Sequence, residues 1–146
     1  METKRFLSAL DQDRIVAAIR KAEDRSHGEV RVHVSNKPVE DVQGAAKTQF
    51  EKLGMTNTER RNGVLIFVAP RSQNFAVLGD QGIHERCGPS FWTDVATAMQ
   101  DDFRQGKFTD GLVKGVARAG DALAEFFPRS EGKTDRNELP DDVTED

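Results

Sequence analysis

The residues best placed to do chemistry lie in one short stretch, FAVLGDQGIHERCG, Phe75 to Gly88. A run with the pattern of a strand breaks at Gly79 into an acid, Asp80, with a second glycine at 82, followed by His84, Glu85 and Cys87. Two chemistries fit Asp80. Carboxylates and carbonyls presented by a turn can ligate a hard cation, calcium or magnesium. An aspartate beside glycines can equally hydrogen-bond its own turn. His84 and Cys87 can share one helical face, but a Cys–His nucleophile needs a group that orients the base, and none stands nearby in sequence. Cys87 fits better as a structural thiol.

Known catalytic signatures fail one by one. A cysteine phosphatase loop needs an arginine six positions after the cysteine, where this chain has Thr93. Asp11 and Asp13 resemble the paired aspartates of magnesium-dependent phosphotransferases, but METKRFLSAL is no buried strand to carry them, and helix capping accounts for both. No phosphate loop, dinucleotide fingerprint, H-E-x-x-H motif or nucleophile elbow occurs. No catalytic residue is assigned.

The elements that must position Asp80 follow from periodicity. LDQDRIVAAIRKAEDRSHG reads as a helix capped by Asp11, with Ile15, Ile19 and Ala22 on one face. EVRVHVS alternates, which predicts a half-exposed strand with Arg31, His33 and Ser35 on the solvent or helix side. PVEDVQGAAKTQFEKLG carries a second helical stripe, and GVLIFVA is apolar throughout, so it belongs in the middle of a sheet. The short PRSQN link to FAVLG forces an antiparallel hairpin. Two further helices follow, the last predicted to start at an N-cap Thr109 with Phe108 stapled onto Val113, and to end before Pro128. The sum is an α/β layered sandwich, a mixed and mostly parallel sheet with one antiparallel hairpin and helices on both faces.

This topology brings the starts of the first two strands beside the end of the third. The loops SHGE, RRNG and GDQGIHE then meet at one sheet edge, and Asp80, Glu29, Glu85 and Asn62 become candidate ligands of calcium or magnesium. The acids would repel one another without the ion, and Gly79 and Gly82 would let the backbone turn and present carbonyls. The plainer reading stays open for each: Glu29 and Glu85 as solvated acids at element ends, Asn62 as a turn former before Gly63. Asp110 is explained by the helix dipole at its first turn.

Composition narrows the classes. The chain has 146 residues, 36% hydrophobic and 32% charged, the make-up of a single soluble domain. Cys87 is the lone cysteine, which excludes an intrachain disulfide or a cysteine-based zinc site. No apolar run is long enough for a membrane span, and the N-terminus lacks the apolar core of a secretory signal, so a cytoplasmic monomer is expected. Residues 129–146 hold seven acids and three bases, a net of −4 that equals the charge of the whole chain. Residues 1–128 are therefore neutral, which speaks against nucleic-acid binding. They are expected to form the domain, and 129–146 a disordered, acidic, solubilising tail.

NGVLIFVAPRSQNFAVLGDQGIHERCGPSFW, continued by FRQGKFTDGLVKGVARAGDALAEFFP, resembles the TPM domain family, named after thylakoid-lumen phosphatase-like, photosystem II repair and levamisole-receptor modulator proteins. The resemblance covers most of residues 1–128 and is strongest over Asn62–Pro128. It implies an α/β sandwich, divalent-cation binding as in some members, and acid phosphatase activity as reported for a plant member. FLSALDQDRI stands where better-known members carry D-x-A-G-V-L, and the chain looks like the cytoplasmic branch. The expected function is a non-catalytic domain that binds a divalent cation and a protein partner, the alternative a metal-dependent acid phosphatase acting on phosphomonoesters.

Overall fold

Local signals place the elements. The structure, a computed structural model, describes residues 1–129 and 143–146. A short helix α1 (Thr3–Ser8), not foreseen from the sequence, precedes α2 (Gln12–Asp24), where Asp11 accepts the Arg14 N–H at 3.2 Å as its cap. Then follow β1 (Glu29–Val34), α3 (Val42–Lys52) capped by Asp41 on the Gly44 N–H, and β2 (Gly63–Ala69). A 3-10 turn at Pro70–Ser72 leads into β3 (Asn74–Gly79), and α4 (Gln81–Cys87), α5 (Pro89–Arg104) and α6 (Phe108–Phe126) complete the body. Val143–Glu145 form β4.

The sheet order is β3-β2-β1-β4. β1 pairs in parallel with β2 from Glu29↔Gly63 to Val34↔Val68, and β2 pairs antiparallel with β3 from Val64↔Gly79 to Ala69↔Asn74. This is the mixed, mostly parallel sheet with one hairpin that the sequence predicts. The odd and even positions of β2 divide the interior. Val64, Ile66 and Val68 face α2, α5 and α6 in the larger cluster, while Leu65, Phe67 and Ala69 pack with Ala46 and Phe50 of α3 and with Met55. Among the described residues no helix is long and apolar enough to cross a membrane.

Three expectations are corrected. β1 is buried at every position, not half-exposed: alternation reports polarity, and His33 is covered because its ring nitrogens meet Thr144 and Asp146. Thr109 does not cap α6. Its hydroxyl accepts the Asp11 N–H at 3.0 Å, and Lys107 takes the cap position without a side-chain bond. The acidic segment is not without structure at its far end, since Val143–Glu145 pair in parallel with Val32–Val34. β1's outer edge offers backbone donors and acceptors that a short β-branched run can satisfy without an apolar stripe of its own. Residues 130–142, the rest of the expected tail, lie outside the described residues.

Candidate functional site

Asp80 follows β3 and caps α4. Its backbone N–H donates to Gly63 O at 2.8 Å, which holds it against the start of β2, and its Oδ1 accepts the Gln81 N–H at 2.8 Å. Arg61 closes on it with both prongs, Nε to Oδ2 at 2.7 Å and Nη2 to Oδ1 at 2.9 Å. The acid is the buried partner: its side chain is 7% exposed, that of Arg61 45%. The hydrogen bond and the charge of Asp80 together raise the Arg61 pKa above its ordinary value.

Arg61 sits at φ 50°, in the left-handed region that non-glycine residues seldom enter. That conformation lets it grip twice. While its guanidinium holds Asp80, its carbonyl accepts the Gly82 N–H at 2.7 Å. Gly82 is glycine because a Cβ there would collide with the carbonyls of Arg60 and Arg61. Gly79 leaves room for the Trp92 ring. Neither glycine has a positive φ, so close approach, not turning, explains both and corrects the expectation.

The three loops do meet. Asn62 Nδ2 donates to His27 O at 3.1 Å and ties the loop before β1 to the loop before β2. Glu29, Gly63 and Asp80 lie abreast across three neighbouring strands. Two strand spacings put Glu29 and Asp80 roughly 10 Å apart at Cα. The space over Gly63, which lies between the two acids, is bounded by the Met55 carbonyl and side chain and by the Phe50 ring. Glu85 lies on the exposed side of α4, where Oε1 accepts from Gln81 Nε2 at 3.1 Å. Among the described residues no three His, Cys, Asp or Glu side chains converge as a ligand group. Asp80 thus faces a guanidinium, not a cluster of like charges.

His84 is occupied: its Nδ1 accepts the Trp92 Nε1–H at 3.1 Å, which fixes the ring against α5. Cys87 is half-buried, and burial, followed by the charge of Glu125, pushes its thiol up, the environment of an unreactive thiol.

Sequence reasoning missed Arg61 and left His33 on the solvent or helix side, without the partners that its ring meets. RRNG held a clue to the first, since a cation in a loop that converges on an acid is a natural counter-ion. The second had none, because the partners of His33 lie more than a hundred residues away.

The model of the TPM domain matches residues 1–122. The chain is similar to the BA42 protein of the psychrophilic bacterium Bizionia argentinensis, solved by NMR, at 41% identity over 92% of each chain, with a TM-score of 0.83. It also shares its fold with the N-terminal domain of a P. gingivalis protein, at 20% identity over 79% of this chain and 76% of that one, with a TM-score of 0.61. No curated protein matches.

Proposed function

The chain belongs to the TPM domain family, and we propose that it works as a non-catalytic cytoplasmic binding domain, a monomer that takes a divalent cation at Asp80 and a protein partner. One observation carries the cation half. Asp80 is a buried carboxylate whose counter-ion, Arg61, stands half in solvent. A guanidinium already occupies the place of a cation there, and because its side chain stands half in solvent it can move aside when another cation takes its place. Asp80 is the principal ligand in this reading. Glu85 can reach from the open side of α4, and Glu29 and Asn62 shape the edge from within it. A cation that keeps most of its waters suits so few carboxylates, which favours magnesium over calcium with its six to eight oxygens.

The non-catalytic half is supported by how the polar groups are spent. Asp80, Asn62 and His84 each hold two segments together.

Competition between the two cations supplies the test. Melting temperature is followed while magnesium or calcium is raised to millimolar levels. An ion bound only by the native state at about a hundred times its Kd should add about 2.7 kcal/mol. Arg61→Ala should respond at lower ion concentration than wild type, because its competitor is gone, and Asp80→Asn should not respond. A flat response in all three would remove the cation from the reading. Turnover of a generic phosphomonoester that needs the ion and disappears in Asp80→Ala would replace it by the phosphatase alternative.

A further inference from the structure

At the end of the sheet opposite Asp80, the outer edge of β1 holds a strand in an unequal way. β4 contributes three residue pairs, Val32↔Val143, His33↔Thr144 and Val34↔Glu145. Just past it the Asp146 carboxylate is gripped from three sides. His33 Nε2 meets Oδ1 at 2.7 Å, and the Ser35 hydroxyl at 3.0 Å and the Asn36 N–H at 2.6 Å both donate to Oδ2. The Thr144 hydroxyl gives its proton to Val32 O at 3.3 Å and faces His33 Nδ1 at 2.8 Å, so both ring nitrogens look at acceptors.

The receiving groups are held by the domain body. His33 stacks on Phe67 with centroids 5.7 Å apart and planes 20° from parallel. The Ser35 N–H donates to Val68 O at 2.7 Å, and its carbonyl accepts from the Thr3 hydroxyl. His33's side chain is 2% exposed, while that of Asp146 is 23% exposed. Val143 and Thr144 are only half-buried, and Glu145 is exposed. Two donors held by the domain body, His33 and Ser35, and the exposed Asn36 N–H thus receive a lightly covered acidic strand, which itself completes the cover of His33. A groove of about 410 Å³ adjoins Asp146, lined by Lys4, Leu7 and Gln12 among others. Glu145 and Asp146 form part of its wall, and Lys4 supplies a cation that suits an acidic guest.

We propose that the β1 edge is a peptide-acceptor site for an extended acidic segment of a protein partner, and that Val143–Asp146 is this chain's own competing occupant. Strand addition supplies main-chain hydrogen bonds, and the carboxylate grip supplies selectivity. The guest it fits is an extended run with a β-branched residue opposite Val32, a threonine opposite His33, and an acid two residues further on. This rests on the partner half of the proposed function and is independent of the cation at Asp80.

The test uses the full chain and a fluorescent peptide with the sequence of Leu139–Asp146, read by anisotropy in EDTA so that the cation reading cannot move the result. The chain's own segment competes intramolecularly with the added peptide. Asp146→Ala in the chain weakens that competitor, so the peptide should bind this variant at least about tenfold tighter than wild type. The same peptide with its own last aspartate replaced by alanine should lose at least about tenfold. Adding His33→Ala to the Asp146→Ala chain should lose as much. Adding His33→Gln, which keeps one N–H donor, should fall between and guards against a folding defect in the alanine double variant. Equal binding to wild type and Asp146→Ala, or indifference to the peptide's aspartate, would overturn the proposal. So would an Asp146→Ala chain that fails to fold, because the segment would then be part of the core. Concentration-dependent dimerisation of the wild-type chain without peptide would make a second copy the guest and overturn the partner reading.

Discussion

The two ends of the sheet each hold an aspartate, with the burial reversed. At the start of β2 the acid, Asp80, is buried and its cation, Arg61, stands half in solvent. At the end of β1 the donor, His33, is buried and the acid, Asp146, is the more open partner. In an unequal pair only the exposed member can move into water, and because its departure would strand the buried member, it can leave only when a group of the same charge takes its place. On the proposed function the first end would exchange one cation for another, and on the peptide-acceptor proposal the second would exchange one acid for another.

The largest expected effect tests the support shared by the sheet's middle and its second end. Phe67 is buried in the smaller cluster and carries the His33 ring. Phe67→Ala should cost about 3–5 kcal/mol in urea denaturation. Amide exchange should quicken across Val143–Glu145 more than at Asp80. Equal quickening at both ends would show that His33 gains nothing from the ring.

The converse change is Gly82→Ala. Its methyl group meets backbone carbonyls, which cannot rotate away as a side chain can. Overpacking of this kind costs about 1–3 kcal/mol, and here it should part Arg61 from Asp80 while β4 stays protected. A neutral Gly82→Ala would mean that the loop before β2 yields freely.

The fold was more legible in the sequence than the two ends were. GVLIFVA and its hairpin depend on neighbours in the chain, and periodicity reports such relations directly. Asp80 stood out because glycines flank it, yet its partner is set by the φ of Arg61, which no propensity announces. The roles of Gly79 and Gly82 depend on Trp92 and on the carbonyls of another loop, not on the turn itself. The alternation of VRVHV puts His33 on the solvent or helix side, and the residues that cover it come from the acidic segment that composition marks as unstructured.

A smaller effect concerns pH at the second end. Burial alone would raise the Asp146 carboxyl, but hydrogen bonds from His33, the Asn36 N–H and Ser35, with the charge of His33, outweigh it and hold the group below its ordinary value. A depressed acid contributes stability that is full above its unfolded pKa and is lost as pH falls through the lower, folded one. The β4 segment should therefore stay docked through the ordinary carboxylate range and release below it, seen as accelerated exchange of the Thr144 and Glu145 amides. Asp146→Asn should remove that acid-side step. Persistence of the step in the variant would assign it to another group.

The smallest effect belongs to a third aspartate and supplies the reference for the other two. Asp110, in the first turn of α6, meets Arg14 Nη2 at 3.0 Å, with side chains 50% and 53% exposed. Here neither partner is buried, so neither waits in place for a replacement. Water screens the pair, and fixing two mobile side chains costs about what the attraction returns. Asp110→Asn should stay within about 0.5 kcal/mol of wild type and leave the magnesium response and the peptide affinity unchanged. If it altered either, the contrast in burial would not be what separates an acceptor from an ordinary surface pair. If it did not, the distinction between Asp80, Asp146 and Asp110 would rest on which side of each pair the domain encloses.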